Sequence, residues 1–382
     1  MDLTTLAAAI MVALGLMATD ATLSSDKVIV DVAVPESYTE AGISTEIVEA
    51  LYLTEIQRII DTPSVVPPPA IRGTREKSLS SSLADTLKLG EVGAAVQRML
   101  GYNPTHIRAS VIVEQEKTKF IIVESTASGK SFEISLDQHQ DETIVQLIKR
   151  GALETMYQLE PYLALVYALQ TAQTPADLAK VRKAIKQRQE KLPNTPLSTK
   201  RSQYENLRGI IALLDNDIPG AADNFTAAAA SDPRNFVATL NLGFLECQRD
   251  HYADGERAIH RVIEPAPLTR QPVLIAAAYM TLACNLMGQQ DFKRADLAVA
   301  QAISEYPQTS SGYELWADLK EHSGDHGEAQ RLHQKARQNS IYFENYAEVA
   351  MLYFELSWRN GAELVRSRYS NPNLPQPLLN QP

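Results

Sequence analysis

The chain has 382 residues, of which 45% are hydrophobic and 21% charged, as in folded globular proteins rather than disordered or polytopic membrane chains. There are 36 Lys and Arg against 46 Asp and Glu, so the formal net charge is −10. An acidic chain without a basic block is a poor nucleic-acid binder, because neutralising phosphates requires clustered cations. Two cysteines are too few for a disulfide scaffold or a four-cysteine zinc site.

The chain starts with an uncharged apolar run from Leu3 to Thr19. This run is slightly shorter than the roughly 20 residues of a membrane-spanning helix. It predicts a single-pass membrane anchor over residues 1–23, with a secretory signal or a buried globular helix as alternatives. No cluster of Lys or Arg flanks the run, so the sequence does not determine the membrane orientation.

A small α+β domain is predicted over residues 27–136. Short apolar runs with polar links predict four strands, at 27–35, 107–115, 119–125 and 131–136. Apolar residues at helical spacing predict helices at 44–61 and 87–100, and the proline-rich stretch 62–82 predicts a long loop. We expect the order β-α-α-β-β-β, with the helices on one face of an antiparallel sheet.

Connecting helices are predicted over 141–200. A periodic apolar face runs from 141 to 170, and Pro161 must kink or divide it, because proline removes a helical hydrogen bond. The helix predicted at 175–191 is rich in Lys and Arg, which is typical of a solvated face.

From Ser202 onward, four windows of 34 residues align, interrupted only by a six-residue insert at 270–275. Small residues recur where two helices would cross, bulky apolar residues lie beside them, and proline follows the second helix in three windows. The windows are 202–235, 236–269, 276–309 and 310–343. This pattern resembles the tetratricopeptide repeat family. The resemblance implies an all-α superhelical solenoid over 201–369.

Two departures from the family pattern and two terminal segments complete this half. The fourth window lacks the final proline, and Gly255 stands where the family usually has alanine. Apolar and aromatic residues at 341–366 predict a terminal helix that caps the last repeat. The uncharged, proline-containing stretch 370–382 predicts a flexible tail.

The family resemblance also implies which residues line the concave groove of the solenoid. The groove is predicted to be apolar in three repeats and acidic in the fourth. The partner-binding residues predicted on this basis are Ile210, Leu213, Leu214, Val237, Leu240, Phe244, Met280, Met287, Glu314 and Asp318. Asn206 belongs to the wider set of groove positions. The pattern lacks the combined Lys, Asn and Arg set with which chaperone-binding members hold a terminal carboxylate, so no such partner is predicted. A partner's helix or peptide, or the chain's own segments, are the alternative occupants.

The sequence predicts no enzyme, cofactor or metal site. No complete phosphate loop or Gly-rich dinucleotide motif is present. His322, His326 and His333 lie close together in sequence, but the turn predicted at Gly324 favours a solvated surface over a metal site. Cys247 and Cys284 are predicted as buried or groove-lining thiols.

Residues 1–170 resemble a group of proteobacterial membrane proteins with a periplasmic tetratricopeptide half. The matching pieces are Val34-Pro35, Gly42-Ile43-Ser44, Leu89-Gly90-Glu91-Val92 and Glu160-Pro161-Tyr162. This resemblance implies a periplasmic bulk, with the cytoplasmic side as the alternative. The sequence thus predicts a non-enzymatic, membrane-anchored scaffold that binds protein partners within a cell-envelope complex. The alternative is a regulatory or sensing subunit whose 27–136 module binds a ligand or peptide. The oligomeric state is left open.

Overall fold

The computed structural model describes most of the chain in two compact units. The described residues are 27–40, 42–64, 72–74, 105–114, 117–125, 132–172, 174–193, 195, 197–215, 217–264, 271–339 and 346–350. The sheet unit comprises residues up to 61 together with 68–164, and the helical unit comprises 62–67 together with residues from 165 onward.

The sheet unit contains a five-stranded mixed sheet with the order β2-β1-β3-β4-β5. Its strands are β1 (Lys27–Ala33), β2 (Arg72–Thr74), β3 (Thr105–Glu114), β4 (Lys117–Ser125) and β5 (Glu133–Asp137). The first strand pairs in parallel with both of its neighbours, and β3, β4 and β5 form an antiparallel meander. The registers Val30↔Ile107 and Val111↔Phe120 align buried side chains across the pairs.

Helices α1 (Glu36–Glu40), α2 (Thr45–Ile60) and α3 (Ile144–Leu159) complete the sheet unit. The second and third pack against each other, with α2 against β1 and β2 and α3 against β4 and β5. Close packing requires Gly151, because a Cβ there would lie 2.5 Å from the Phe120 ring. The Tyr52 hydroxyl bonds Thr155 Oγ1 at 2.6 Å in this core. Burial raises the pKa of Tyr52.

The observed sheet corrects the predicted fold class in two respects. The sheet is mixed rather than antiparallel, because a long connection lets β3 run parallel to β1. An additional strand, Arg72–Thr74, lies within the predicted loop 62–82 and is too short to show a periodic pattern. The structure also places α3 with the sheet rather than among the connecting helices. The helix predicted at 87–100 lies outside the described residues.

A second correction concerns the membrane. Among the described residues, no helix combines the length and the apolar character needed to cross a bilayer. The transmembrane helix in the predicted fold class and the predicted single-pass, membrane-anchored localisation are therefore wrong for the described part of the chain. The run at 3–19, on which those predictions were based, lies outside it.

The rest of the described chain is helical. Two helices come first, α4 (Pro161–Thr171) and α5 (Pro175–Glu190), with α4 beginning at the proline expected to interrupt the preceding helix. Eight further helices follow: α6 (Thr199–Leu214), α7 (Ile218–Ser231), α8 (Phe236–Gln248), α9 (Tyr252–Ile263), α10 (Pro272–Gly288), α11 (Phe292–Glu305), α12 (Ser310–His322) and α13 (His326–Gln338). They pack as four consecutive pairs, one for each predicted window.

Each pair is held together by a small residue at the eighth position of its window. In the first repeat, a Cβ at Gly209 would lie 2.3 Å from Cε1 of Phe225. In the second, a Cβ at Gly243 would lie 3.1 Å from an Ile259 side-chain carbon. The corresponding alanines of the third and fourth repeats, at 283 and 317, are fully buried. The two helices of a repeat therefore approach too closely for a larger side chain at this position.

The turn between the paired helices also recurs. The fifteenth position of the window is left-handed in three repeats, with φ of 61° at Asp250, 63° at Gln290 and 82° at Gly324. An aspartate often follows and caps the second helix: Asp291 accepts from the Arg294 amide, and Asp325 from the Glu328 amide. The same helix-turn-helix geometry is thus built by partly different residues.

We predict that Gly209→Ala destabilises the helical unit by about 1–3 kcal/mol, because the added methyl group has no space beside the buried Phe225 ring. The measurement is urea unfolding followed by circular dichroism. The control is Gly327→Ala, because the nearest atom to a Cβ there is 3.9 Å away. Equal effects of the two substitutions would contradict the close crossing.

We predict opposite effects for two exchanges at the left-handed turn position. Gln290→Gly should raise stability by up to about 1 kcal/mol, because glycine adopts positive φ without steric cost. Gly324→Gln should lower stability by a similar amount. Thermal unfolding of both variants tests this, and a shift of the same sign in both would refute it.

Candidate partner-binding groove

The first helices of the four repeats form one layer. In this layer α6 contacts α8, α8 contacts α10, and α10 contacts α12. We call these four helices the inner layer, and the face that carries the predicted partner-binding residues the groove. The second helix of each repeat packs against its own first helix, and the second helices of the first three repeats also contact the first helix of the repeat that follows.

The apolar residues predicted for this groove are mostly buried within the chain itself. Seven of them are at most 7% exposed: Ile210, Leu213, Val237, Leu240, Phe244, Met280 and Met287. Leu214, Glu314 and Asp318 are half-buried, and Glu314 accepts a hydrogen bond from His333 Nδ1 at 2.9 Å. Their role in binding a partner stays a prediction.

A segment of the chain itself is bound between the first two repeats. Tyr346–Ala350, which we call the resident segment, follows the last repeat in sequence, and none of its residues is more than 9% exposed. The amide of Val349 donates to the carbonyl of Tyr346 at 3.0 Å and closes a turn. Of the predicted capping region 341–366 only 346–350 are described, and the residues from Tyr346 to Val349 form a buried turn.

Two asparagine side chains bind the main chain of the resident segment. Asn241 Nδ2 donates to the carbonyl of Glu348 at 2.8 Å, and Asn241 Oδ1 accepts from the amide of Ala350 at 2.7 Å. Asn206 Nδ2 donates to the same Glu348 carbonyl at 3.1 Å. Asn241 Nδ2 also donates to Asn206 Oδ1 at 2.8 Å, which links the two amides. Buried main-chain groups outside regular secondary structure are thereby satisfied by side chains.

The side chains of the resident segment add chemical selectivity. Glu348 is fully buried, and its Oε1 accepts from Ser64 Oγ at 2.5 Å. Burial raises the pKa of Tyr346, and Tyr306 and Glu348 raise it further. Val349 and Ala350 are fully buried beside them. The site therefore holds one acidic side chain followed by two small apolar ones.

The neighbouring helices hold the two asparagines in place. Ser202, one turn before Asn206 on α6, donates from its hydroxyl to the Ala228 carbonyl at 2.6 Å. Asn235, which caps α8, donates from Nδ2 to Ser202 Oγ at 2.8 Å. These bonds connect the start of α6 to α7 and to α8. Asn206 and Asn241 are therefore positioned by the packing of the first two repeats.

The two cysteines are free thiols in the inner layer. Burial raises the pKa of both thiols, that of Cys284 to about 12, and a raised pKa disfavours the thiolate, which is the nucleophilic form. The Cys247 thiol donates to the Gly243 carbonyl at 3.0 Å. A Cβ at Gly255 would lie 2.6 Å from this sulfur, which explains glycine where the family usually has alanine.

The histidines of the fourth repeat have separate partners. His326 bonds Glu321 at 2.6 Å, His333 bonds Glu314, and the His322 ring lies 4.4 Å from the Phe292 ring. The structure does not bring these three together as one ligand set.

One group of possible metal ligands occurs among the described residues. Glu246, His251 and Asp254 each offer an atom, and these atoms lie within 4.8 Å of one another. The His251–Glu246 bond of 2.7 Å has the same sequence spacing as the His326–Glu321 bond in the fourth repeat. We therefore interpret it as a recurring contact at the turn between paired helices.

Sequence reasoning included Asn206 among the groove positions but did not identify its partners, Asn241 and the resident segment, or the bond between that segment and Ser64. The available signal was an asparagine on the first helix of each of two successive repeats, Asn206 and Asn241. The contact between Asn206 and Glu348 joins residues 142 positions apart. No local pattern predicts such a pairing.

No protein-family model matches the sequence, and no curated protein matches it. The fold is similar to solved repeat proteins. MamA from Desulfovibrio magneticus is 15% identical, with 50% of this chain and 91% of that chain covered and a TM-score of 0.34. Pseudomonas aeruginosa pilF is 15% identical, with 48% of this chain and 78% of that chain covered and a TM-score of 0.38. A tetratricopeptide repeat protein from Parabacteroides merdae is 16% identical, with 58% of this chain and 80% of that chain covered and a TM-score of 0.38.

The helical unit has the fold of consecutive helix pairs that the tetratricopeptide resemblance implies. The four helix pairs, their small crossing residues and their shared turn position define this fold in the chain itself. These similarities do not support the membrane-anchored, periplasmic part of the second resemblance.

We predict that Asn241→Ala loosens the resident segment. The change leaves the amide of Ala350 without its acceptor and removes one donor from the Glu348 carbonyl. Losing such buried bonds costs about 1–3 kcal/mol, which corresponds to local hydrogen exchange roughly 5–150 times faster. Hydrogen exchange of peptides covering 346–350 measures this.

The control is Asn224→Ala, because that amide bonds only the Gly220 carbonyl one turn earlier on α7. Unchanged exchange at 346–350 in the Asn241 variant would show that the asparagine does not hold the segment.

Proposed function

We propose that the protein is a non-enzymatic scaffold that binds other proteins through the groove of its helical unit. The site assigned to this binding is the predicted groove, of which Leu214, Glu314 and Asp318 are the half-buried, accessible part. The two carboxylates of the fourth repeat add charge selectivity. The other seven predicted residues, from Ile210 to Met287, are buried within the chain and stabilise the packing of the inner layer.

The observation that carries this proposal is the pairing of Asn206 and Asn241 with the main chain of Tyr346–Ala350. Side-chain amides that satisfy both a carbonyl and an amide of a peptide supply the chemistry needed to bind a segment without regular secondary structure. Every polypeptide carries these main-chain groups. The site therefore fits a peptide segment better than a small molecule or a nucleic acid.

Two finer predictions from the sequence are kept as predictions only. One is that the partner belongs to a cell-envelope complex, and the other is that the 27–136 module binds a ligand or peptide as a sensor. The contacts of Asn206 and Asn241 favour the scaffold over the sensor, because they lie in the helical unit.

We predict that peptides selected from a displayed random library against the full chain bind at the groove. A photo-reactive amino acid placed at Leu214 or Asp318, both half-buried, should form covalent adducts with the selected peptides. The same group at Leu297, which is 63% exposed on α11, is the matched control. Mass spectrometry of the adducts identifies the attachment site.

Adducts at positions 214 and 318 but not at 297 support the groove. Adducts only at 297, or a library that yields no binding peptide, would contradict the proposed function.

A further inference from the structure

We propose that Tyr346–Ala350 is an internal ligand of the groove, which a partner's peptide of the same chemistry displaces. This inference rests on the proposed function and specifies the partner. The partner is a turn-forming peptide with an acidic residue followed by a β-branched apolar residue and a small one, as in Glu348-Val349-Ala350.

The repeats hold the main chain of the resident segment through side chains. Its main-chain contacts with the repeats come from the side chains of Asn206 and Asn241, rather than from a helix or a sheet. Such contacts do not depend on covalent attachment to this chain. A peptide from another protein that presents a carbonyl and an amide at the same spacing makes the same bonds.

The site is selective for the side chains at three successive positions of its occupant. Ser64 donates to the Glu348 carboxylate at 2.5 Å, so the site accepts an acidic side chain at this place. Val349 and Ala350 are fully buried, which limits the next two positions to small apolar residues. The surroundings of Glu348, Val349 and Ala350 select for a short sequence pattern. Asn206 and Asn241, in contrast, bind only main-chain groups.

The resident segment lies far in sequence from the asparagines that bind it. It follows α13, the last helix of the fourth repeat, yet its main chain bonds Asn206 on α6 and Asn241 on α8, in the first two repeats. Its removal therefore leaves the bonds that connect α6, α7 and α8 in place. The groove can exchange its occupant without loss of the repeat packing.

The test measures binding of a fluorescent peptide with the sequence of residues 344–352 to the full chain by anisotropy. In the unchanged chain the resident segment competes, and only the fraction of molecules with an open groove binds the probe. Val349→Asp places a charge at a fully buried position and expels the segment. We expect this variant to bind the probe at least tenfold more tightly.

Two controls establish that the gain comes from the groove. Leu297→Asp, at an exposed position of α11, should leave the affinity unchanged. Adding Asn241→Ala to the Val349→Asp chain should remove the gain, because the probe loses its amide contacts. A probe with aspartate in place of its valine should not bind either variant.

Three results would overturn the inference. Equal affinity of the unchanged chain and Val349→Asp would show that probe and segment do not compete. A folded Val349→Asp chain that does not bind the probe would show that the segment is not a ligand mimic. If Val349→Asp does not fold, Glu348→Ala, which removes the acceptor of the Ser64 bond, replaces it, and no gain in probe binding there would make the segment part of the core. Library peptides that still form adducts at position 318 would in each case leave the proposed function intact.

Discussion

The helical half depends on one steric constraint, the close crossing of the two helices within each repeat. At Gly209, Gly243 and the corresponding alanines, there is no space for a larger side chain between the paired helices. The two helices of each pair pack closely, and the first helices of successive repeats also contact one another. The inner layer, and with it the spacing between Asn206 and Asn241, follows from this contact.

The groove combines two kinds of surface with different physical roles. Its apolar residues are non-directional and stabilise whatever covers them in proportion to the area removed from water. The hydrogen bonds of its two asparagines are directional. A buried amide left without partners costs more free energy than a formed hydrogen bond contributes, so the occupant has to present matching groups. Together they explain why a short turn such as Tyr346–Ala350 has a defined position there, although few of its residues can form secondary structure with the repeats.

Small residues, turns and caps recur at fixed spacing, and from them the sequence predicted the four helix pairs of the helical half. It predicted the three antiparallel strands from their apolar runs, but it missed Arg72–Thr74, since three residues carry no periodicity. The membrane-spanning helix was inferred from the composition of one run and has no counterpart in the described residues. The pairing of Asn241 with Glu348 and Ala350 could not be predicted, because it depends on how a distant segment folds back.

The covalent connection of the resident segment to the last repeat has a consequence for concentration. Only residues 340–345 lie between the described end of the fourth repeat and Tyr346. A tethered segment stays near its site at an effective concentration on the order of millimolar, however dilute the protein is. A free peptide at micromolar concentration competes poorly with such a neighbour. A groove of this kind discriminates by how densely a partner is presented, and it favours partners that are arrayed in many copies or held nearby by a second contact.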